Sequence, residues 1–599
     1  MDAPPASPVI FDADGVPRSR RYGDVYFSRE GGLAEARAVF LAGCGLPERW
    51  SGRRRFAVAE LGFGTGLNIL ALLELWRAQR PPGGHLSIFS IEAEPLSVGE
   101  ARQALAAWPE LAATAEVMLA RWPGRRRGFQ RIALPELAAT LDLAVMDAEP
   151  ALQAWSGAAD AWFLDGFAPS VNPAMWTDAL MALVAARSAP GAKAATYTVA
   201  GQARRALAAA GFTLERRPGF GGKRERLEAT LPGEPPAEAA APRVVVVGAG
   251  IAGAALARAF RLQGVEARVF EAARPGAGPS GNPAALVTPR LDAGLGEAAQ
   301  LHAQAFAAAV RLYESVPAAV IARGVLQLEA GPRDGGRFAR IAAADVFEPG
   351  ALALWSEAEV SAALGEPAPA ALRLEAALTI DPAPILSAWL PQIGTAQVEK
   401  LSADGGAWTL TDAGGGVIAE AEIVCLANGA LLAALWPGAP IQPVRGQLSF
   451  VHGVTSPAAA WGDYVAPTQD GMVFGATHDR DVATDDPRAV DDQRNLAALA
   501  ARLPALARRL EGVLTHGRAS VRATTPDRLP IAGEIEPGLL ALGGLGSRGF
   551  TAAPLLAEHV AALALGAPSP LPAPLARIVG PDRFAERAAR RLVGRAAPV

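Results

Sequence analysis

Two stretches of the chain share one pattern of apolar and polar positions. Each begins with a short apolar run, at residues 56–60 or 244–247, that leads into a glycine-rich turn and a helical segment. A second apolar run then ends at an acidic residue, at 86–91 in the first stretch and at 267–270 in the second. Such short apolar runs, alternating with helical segments, are typical of buried parallel strands. The pattern therefore predicts a doubly wound α/β sheet in each half of the chain.

The remaining elements extend this alternation. In the first half, a helix is predicted over residues 67–80 and further strands over 141–146, 161–164 and 194–199. In the second half, residues 291–461 mix short strand and helix patterns and are predicted to form a separate subdomain. The chain is expected to return to its first sheet near Leu540 and to continue into an apolar helix over residues 554–565.

Residues 231–242 separate the two halves. This segment is rich in proline and alanine and has no periodic apolar pattern, which is typical of a linker. At 599 residues, the chain is also too long for one hydrophobic core. The sequence predicts a domain over residues 1–232, a linker over 233–242 and a second domain over 243–599.

The composition is that of a globular protein, and the scarcity of cysteine limits the kinds of site that the chain can form. Hydrophobic residues make up 51% of the chain and charged residues 19%, and no uninterrupted apolar run is long enough to cross a membrane. Cys44 and Cys425 are isolated, so neither a disulfide framework nor a metal site is expected. Without a leader-like start, the chain is predicted to be cytoplasmic.

The net charge of −4 gives no overall signature of nucleic-acid binding. Contacts with a phosphate backbone must then come from local basic runs. The candidates are residues 53–55, 125–127 and 216–226, and a C-terminal group of Arg583, Arg587, Arg590, Arg591 and Arg595. The alternative is that these runs are solvated faces or helix ends.

The first glycine turn has an acid before it and alternating glycines: Glu60, Gly62, Gly64 and Gly66. Glycines let a ligand approach the backbone closely, and a carboxylate favours a cationic ligand. Glu92, after the second apolar run, can accept hydrogen bonds from ribose hydroxyls. S-adenosylmethionine is cationic, carries a ribose and has no phosphate, so the turn predicts a site for this cofactor. A tight turn without a ligand is the alternative for the glycines alone.

Two more acids follow predicted strands. Asp147 is expected beside the adenine of the cofactor, although a surface acid is nearly as good an interpretation. Asp165 lies at the carboxyl end of a central strand, where open α/β sheets hold their ligands. A carboxylate at that position can orient an attacking amine and accept its proton.

Two strings around these residues carry a family resemblance. ELGFGTGLN at 60–68 and WFLDGFAPSVNPAMW at 162–176 together resemble the methyltransferase domain of the bifunctional tRNA 5-methylaminomethyl-2-thiouridine biosynthesis proteins. The resemblance spans most of residues 20–230, and the second string is far more specific than a glycine turn.

The second glycine turn is formed by Gly248, Gly250 and Gly253, and Glu271 follows the next strand. This spacing is typical of a dinucleotide site, in which helix amides bind the pyrophosphate and the acid binds a ribose. The turn alone does not separate NAD from FAD. A further glycine-rich segment at 542–551, before an apolar helix, favours FAD, because flavin oxidases place such a segment against the flavin.

This half resembles the glycine oxidase and D-amino-acid oxidase group. The supporting strings are GAGIAGA at 248–254, SGN at 280–282, PVRGQ at 443–447, VRATTPDRLPIAG at 521–533 and SRG at 547–549. The resemblance implies that Arg522 pairs with a substrate carboxylate and that Arg548 is a second contact near the flavin. It also implies FAD contacts for Ser280, Asn282, Gly544, Gly546, Ser547 and Gly549. A structural role is the alternative for both arginines.

The two resemblances together imply a fold class and a function. The fold class is a Rossmann-like methyltransferase domain plus an FAD-binding, glycine-oxidase-like domain with a mixed α+β substrate subdomain. The implied substrate is tRNA with a carboxymethylaminomethyl group on its wobble uridine. Oxidation, with dioxygen as electron acceptor, would release glyoxylate, and the freed amine would then be methylated. An anticodon base can be splayed out and stacked on aromatic rings, for which Phe63, Phe167 and Trp176 are candidates unless they pack in the core.

Two other interpretations remain open. The same pair of enzymes could act on small molecules, as an amino-acid oxidase fused to an amine methyltransferase. From another class, the chain could be a non-catalytic tRNA-binding scaffold, although the retained glycines, Glu60, Glu92 and Asp165 argue against it.

Overall fold

The chain folds into two compact units. The structure, a computed structural model, describes residues 7–27, 31–221, 223–235, 240–390, 392–587 and 589. The first unit comprises residues 1–241 with the short segments 262–264 and 566–573, and the second comprises 242–261, 265–565 and 574–599. Part of the predicted linker, and Arg590, Arg591 and Arg595 of the predicted basic group, lie outside the described residues.

A largely parallel sheet forms the centre of the first unit. Its strands, in spatial order, are Gly128–Leu134, Ala139–Val145, His85–Ile91, Arg55–Leu61, Ala159–Leu164, Ser188–Thr196, Glu225–Thr230 and Thr213–Pro218. The strands from Ala139–Val145 to Ser188–Thr196 run parallel, and the outer ones are antiparallel to their neighbours. This confirms the predicted Rossmann-like α/β fold. The predicted strand 194–199 begins earlier, at Ser188, and ends at Thr196.

Two hydrophobic cores flank this sheet. Phe56 and Val58 belong to one core, whereas Ala59 and Leu61 belong to the other, as the alternation of side chains along a strand requires. The helices of the unit are Gly32–Glu35, Leu67–Gln79, Val98–Leu105, Ala112–Leu119, Ala148–Ala154, Asp178–Ala186 and Gly201–Ala209. The first glycine turn thus lies between a buried strand and the predicted helix Leu67–Gln79, at the carboxyl edge of the sheet.

The second unit has a parallel sheet around the second glycine turn. Its strands, in spatial order, are Ile393–Thr395, Ala267–Glu271, Val244–Val247, Ile423–Leu426, Leu539–Gly543 and Ile531–Glu536, the last of these antiparallel. The prediction that the chain returns to this sheet only near Leu540 is wrong, because Ile393–Thr395 and Ile423–Leu426 already belong to it. These strands are too short to separate from the mixed pattern around them.

A second, mixed sheet forms the larger part of this unit. Its strands are Ala285–Val287, Ala371–Ile380, Val320–Leu328, Ala459–Ala460, Tyr464–Pro467, Gly471–Gly475, Gln442–His452 and Asp479–Arg480, with Leu352–Trp355 and His516–Thr524 paired at its sides. The α-helices of the unit are Ile251–Leu262, Glu297–Glu314, Asp334–Ala342, Glu357–Leu364, Pro382–Trp389, Leu432–Leu435, Ala489–Arg502, Pro504–Arg508, Gly549–Leu565 and Ala573–Val579. The predicted mixed α+β subdomain is therefore confirmed, although it is interleaved with the parallel sheet.

The long helix near the end of the second unit begins earlier than predicted. It starts at Gly549 rather than Pro554, and Pro554 lies inside it. Proline has no amide N–H to donate to the carbonyl four residues earlier, which is that of Phe550. The hydroxyl of Tyr313 donates to this carbonyl instead, at 2.6 Å. A tertiary contact that the local sequence does not reveal thus lets the helix continue through the proline.

Three further observations concern the described residues. No helix among them is long and apolar enough to span a membrane. No group of three or more His, Cys, Asp or Glu side chains within the described ranges is arranged to hold a metal ion. Cys44 and Cys425 are both buried as free thiols.

Candidate functional sites

The carboxyl edge of the first sheet brings together most of the acids predicted for the first unit. Glu92 follows the strand His85–Ile91, and Asp165 follows Ala159–Leu164, on either side of the strand that leads into the first glycine turn. Gly62 in this turn has a φ of 95°, and a Cβ there would lie 2.7 Å from the carbonyl oxygen of Asp165. Only glycine therefore lets the turn approach Asp165 this closely.

Glu92 is held against the glycine turn by backbone amides. Its Oε2 accepts a hydrogen bond from the amide of Gly64 at 2.9 Å, and its Oε1 accepts one from the amide of Glu94 at 2.9 Å. Each carboxylate oxygen keeps a lone pair that these amides do not use. The fixed, half-buried carboxylate therefore suits the pair of hydroxyls on a ribose.

Glu60 is enclosed rather than open to a ligand. Its carboxyl is fully buried and accepts hydrogen bonds from the hydroxyl of Ser90 at 2.6 Å and from the amide group of Asn68 at 3.2 Å. Burial holds the pKa of this carboxyl well above its usual range. Glu60 can therefore attract a cationic cofactor, as predicted, only if the positive charge of that cofactor favours the ionised form of the buried carboxyl.

Asp165 lies half-buried beside Glu60 and shares its partner. The amide nitrogen of Asn68 donates to Oδ2 of Asp165 at 2.7 Å, and the backbone amide of Gly166 donates to Oδ1 at 3.0 Å. Burial raises the pKa of Asp165 to about 6, although the bond from Asn68 opposes this shift by favouring the ionised form. The prediction from sequence missed Asn68, which closes the first family string and joins the two acids.

Partly exposed aromatic rings surround this edge. The ring of Phe167 lies 4.9 Å from that of Tyr22 and 5.5 Å from that of Tyr26. The hydroxyl of Tyr197 donates to the carbonyl of Gly166. The chain contains five tyrosines, and three of them lie at this edge. The prediction from sequence did not include these tyrosines.

The other two predicted stacking candidates belong to the core. Phe63 is 3% exposed and packs against Trp122, and Trp176 is 1% exposed. Apolar packing therefore explains both residues, and the prediction that they stack on a base is wrong. Asp147 is exposed at the start of the helix Ala148–Ala154, where its side chain makes no capping hydrogen bond.

The second unit repeats the tie between an acid and a glycine turn. Oε2 of Glu271 accepts a hydrogen bond from the amide of Ala249 at 2.8 Å, and Oε1 accepts one from Ala273 at 3.1 Å. The hydroxyl of Ser280 accepts a hydrogen bond from the amide of Ile251 at 2.9 Å, at the start of the helix. A ribose can thus meet Glu271 while a pyrophosphate meets the helix amides, so the residues present fit a dinucleotide.

The close packing of this turn depends on its glycines. A Cβ on Gly253 would lie 1.8 Å from the carbonyl oxygen of Gly248, and a Cβ on Gly248 would lie 2.6 Å from that of Ala427. A Cβ on Gly250 would meet the hydroxyl of Ser280 at 3.1 Å. Asn282 lies in the same region, where its Oδ1 accepts a hydrogen bond from Arg518 at 3.2 Å.

The glycine-rich segment before the last long helix lies beside the strand that carries Arg522. The amide of Gly546 donates to the carbonyl of Ala523 at 2.8 Å. Gly544 has a φ of 63°, Ser547 is exposed, and Gly549 begins the helix. The structure therefore brings the predicted flavin segment and the predicted carboxylate-binding arginine together.

Arg522 has a guanidinium that is not paired with any residue in the described part of the chain. It makes no hydrogen bond or ion pair with any described residue, and burial lowers its pKa from the usual value, with Tyr464 close by. A Cβ on Gly446 would lie 2.4 Å from Nη2 of Arg522. Gly446, which the prediction did not single out, therefore leaves the space in which this guanidinium lies.

Arg548 likewise makes no hydrogen bond or ion pair through its side chain with a described residue. Its Nε is buried and makes no hydrogen bond in the described structure. Burial lowers the pKa of Arg548, and the nearby charge of Arg290 lowers it further. Arg548 lies within the glycine-rich segment and Arg522 lies on the neighbouring strand, and since neither guanidinium is paired with a described residue, both suit an anionic ligand.

Several described arginines of the basic runs that the sequence singled out have partners within the protein. Arg53 forms an ion pair with Asp160 at 2.8 Å, and Arg126 is buried and donates to the carbonyl of Phe129. Arg583 is buried against Asp527. In the segment 216–226, three arginines form ion pairs with glutamates of the same two strands: Arg216 with Glu225, Arg217 with Glu228 and Arg226 with Glu228.

Two sequence families match the chain, one in each half. Residues 109–232 match an S-adenosyl-L-methionine-dependent methyltransferase family, and residues 243–563 match an FAD dependent oxidoreductase family. The first match begins after the first glycine turn, whereas the second includes both glycine-rich segments of its half.

Full-length relatives are similar to both halves at once. The tRNA 5-methylaminomethyl-2-thiouridine biosynthesis bifunctional protein MnmC of Caulobacter sp. (strain K31) is 57% identical, covering 98% of this chain and 99% of the relative. The protein of that name from Caulobacter vibrioides is 56% identical, covering 96% and 98%. A solved structure, L-proline dehydrogenase from P. horikoshii, matches 58% of this chain and 98% of its own with a TM-score of 0.50 at 18% identity, which shows a shared fold.

Proposed function

The chain belongs to the family of bifunctional tRNA 5-methylaminomethyl-2-thiouridine biosynthesis proteins, and we propose that it modifies the wobble uridine of tRNA in two steps. The matches confirm the predicted pair of enzymes, an S-adenosylmethionine-dependent methyltransferase and an FAD-dependent oxidoreductase. In this proposal, residues 1–232 carry the transferase, 243–599 carry the oxidase and 233–242 join them. Since tRNA is a cytoplasmic molecule, the proposal also places the enzyme in the cytoplasm.

The first step removes the carboxymethyl group from 5-carboxymethylaminomethyluridine. FAD, when bound, supplies the two-electron oxidation of the bond between the amine nitrogen and the methylene next to the carboxylate. Dioxygen is the proposed final electron acceptor. Water then hydrolyses the substrate imine, which releases glyoxylate and leaves a primary aminomethyl group. Arg522 binds the substrate carboxylate and so fixes the neighbouring methylene, and Arg548 approaches from the glycine-rich segment.

The observation that carries the oxidase assignment is the free guanidinium of Arg522. A half-buried cation without a protein partner is costly, and a planar carboxylate is the ligand whose geometry it fits best. The hydrogen bond from the amide of Gly546 to the carbonyl of Ala523 supports this proposal, because it joins the segment assigned to the flavin to the strand that carries Arg522. Substrate carboxylate and flavin would therefore be neighbours.

The second step transfers a methyl group to the freed amine. This amine must lose its proton before it attacks, and Asp165 is the group proposed to orient it and accept that proton. Phe167, with Tyr22 and Tyr26 against it, offers ring surface on which an unpaired uridine base can stack. Glu92 would bind the ribose of S-adenosylmethionine, with Gly62, Gly64 and Gly66 along its backbone.

One incubation tests the proposal as a whole. The purified protein is mixed with unfractionated tRNA and labelled S-adenosylmethionine, and the labelled nucleoside is identified after digestion. We expect the label in 5-methylaminomethyluridine or its 2-thio form. Label that appears only in small amines, together with oxidation of free amino acids, would favour the small-molecule interpretation instead.

Arg522→Gln is expected to raise the KM of the oxidase for its modified-uridine substrate roughly 10- to 100-fold. The reason is the loss of a charge-assisted bond to the carboxylate, worth about 1.5–3 kcal/mol. Steady-state oxidation of the modified tRNA measures this change. Methyl transfer to tRNA that already carries the aminomethyl group should be unaffected in the same preparation. Unchanged oxidase kinetics would remove Arg522 from the substrate site.

Asn68→Ala is expected to move the acid limb of the methyl-transfer pH profile to higher pH, by about one unit. In the unchanged protein, the rate should fall as the pH drops through about 6, where Asp165 gains a proton. Asn68 stabilises the ionised form, so its loss raises the pKa of Asp165 further. Single-turnover methyl transfer between pH 5 and pH 9 measures the limb.

The control is Gln103→Ala, which changes an exposed amide on the helix Val98–Leu105 of the same unit that makes no hydrogen bond to Asp165. Its profile should coincide with that of the unchanged protein. An Asn68→Ala profile that is lower at every pH but not displaced would show that Asn68 acts only by supporting the fold.

A further inference from the structure

A cavity in the second unit has a basic lining that the proposed chemistry leaves unused. Its volume is about 510 Å³. It is lined by the loop residues 290–294 and by Arg337 and Arg340 of the helix Asp334–Ala342. The cavity thus lies between the loop that follows the strand Ala285–Val287 and a helix of the mixed subdomain.

The lining carries more positive than negative charge. Arg290 and Arg340 make no hydrogen bond or ion pair with any described residue. Arg337 pairs with Asp334 at 2.9 Å. Asp292, the acid among the lining residues, has its Oδ1 bonded to the amide of Gly294 at 3.0 Å. Two guanidinium groups are therefore available to an anion from outside the protein.

The helix presents its arginines on one side. Arg333, Arg337 and Arg340 are spaced four and three residues apart, which places them along one face of a helix. Phe338 and Ile341 are buried on another face. The basic face is thus held in place by a hydrophobic anchor and does not depend on the cavity being filled.

Arg290 connects this cavity to the oxidase site. It lies close enough to Arg548 and to His302 for its charge to lower the pKa of both groups, after the larger effect of burial. The pKa of His302 falls to about 4, and its Nδ1 is buried without a hydrogen-bond partner. Arg290, one of the arginines that line the cavity, is thus a neighbour of Arg548, which is proposed to lie near the flavin.

We propose that this cavity binds a phosphodiester group of the RNA backbone next to the modified nucleotide. The inference rests on the proposed function and specifies how the oxidase recognises RNA. A free amino acid brings one carboxylate, which Arg522 satisfies. A second site for an anion, which includes the arginine that neighbours Arg548, suits a substrate with a further negative charge, and guanidinium groups bind phosphate oxygens in pairs.

The test compares two substrates of the same oxidation. One is an anticodon stem-loop RNA that carries 5-carboxymethylaminomethyluridine, and the other is the corresponding nucleoside, which has no phosphate. Arg290→Gln and Arg340→Gln should each raise the KM for the RNA roughly tenfold. They should also lower the slope of log KM against log salt by about one. Oxidation of the nucleoside should be unchanged in Arg340→Gln, because Arg340 lies on the helix Asp334–Ala342, whereas Arg290 neighbours Arg548.

The control variant is Arg508→Gln, which removes an exposed arginine from the helix Pro504–Arg508 of the same unit. It should leave the RNA kinetics and the salt slope as they are. Asp292→Asn supplies the opposite sign, because it removes the negative charge from the lining while an amide oxygen can still accept the bond from Gly294. It should lower the KM for the RNA.

The outcomes separate the two levels of inference. If the RNA is oxidised normally by Arg290→Gln and Arg340→Gln at every salt concentration, the phosphate site is wrong and the proposed function stands. A loss that is equal for RNA and nucleoside also overturns the phosphate site, since it would point to damage at the oxidase centre. Oxidation of neither substrate by the unchanged protein would overturn both.

Discussion

Asp165→Asn is expected to lower methyl transfer to tRNA by about 10²- to 10⁴-fold, the range over which a positioned proton acceptor contributes. An asparagine keeps the size of the side chain and can still accept a hydrogen bond from Asn68 at 2.7 Å. It cannot take a proton from the attacking amine, because an amide is not basic. The rate should be measured in a single turnover with tRNA that already carries the aminomethyl group.

The accompanying measurements show that the loss is specific. Binding of S-adenosylmethionine and oxidation of the carboxymethylaminomethyl substrate should both be retained, since Glu92 and the oxidase half are unchanged. Asp178→Asn, at an exposed acid of the same unit, should methylate at the normal rate. Equal loss of methyl transfer and oxidation in Asp165→Asn would contradict the assignment of one reaction to each half.

Gly253→Ala is expected to abolish FAD binding, so the purified protein should be colourless and inactive as an oxidase. The new Cβ would lie 1.8 Å from the carbonyl oxygen of Gly248, and no side-chain rotation can relieve this clash because the backbone fixes the position of a Cβ. The turn must open, which displaces the helix amides proposed to bind the pyrophosphate. Flavin absorbance after purification, with and without added FAD, gives the result.

Methyl transfer provides the internal standard for this variant. It should proceed normally on aminomethyl tRNA, since the first glycine turn is untouched. Gly336→Ala is the matched change, because a Cβ there meets no atom within 4 Å and its φ is not positive. It should remain yellow and active. A yellow, fully active Gly253→Ala protein would refute the placement of FAD at this turn.

Elements close to the glycine turns were the ones that the sequence predicted well. The apolar run around Val244–Val247 is bounded by a linker on one side and glycines on the other, so only a buried strand suits it. Glu92 and Glu271 follow from the same argument, since each ends the neighbouring strand. In the structure, both acids bind the amides of the turn beside them.

The features that the sequence did not predict depend on contacts between distant residues. Asn68 reads as an ordinary first-turn helix residue until Asp165 is placed 2.7 Å from it. In the sequence, Gly446 resembles any glycine in a strand. Its role is visible only in the structure, where the guanidinium of Arg522 lies against it. The free arginines of the basic cavity come from segments about fifty residues apart, so no run of charges marks them. Conversely, some arginines of the obvious basic runs pair with carboxylates that are distant in sequence, such as Arg53 with Asp160 and Arg583 with Asp527.

Because of the order of their strands along the chain, the two parallel sheets can form at different stages of translation. Every strand of the first sheet lies between Arg55 and Thr230, so that sheet has all its parts once this stretch has emerged. In the second sheet, Val244–Val247 pairs with Ile423–Leu426, which in turn pairs with Leu539–Gly543. The sheet that contains Val244–Val247 is therefore complete only after the chain has been translated as far as Leu539–Gly543.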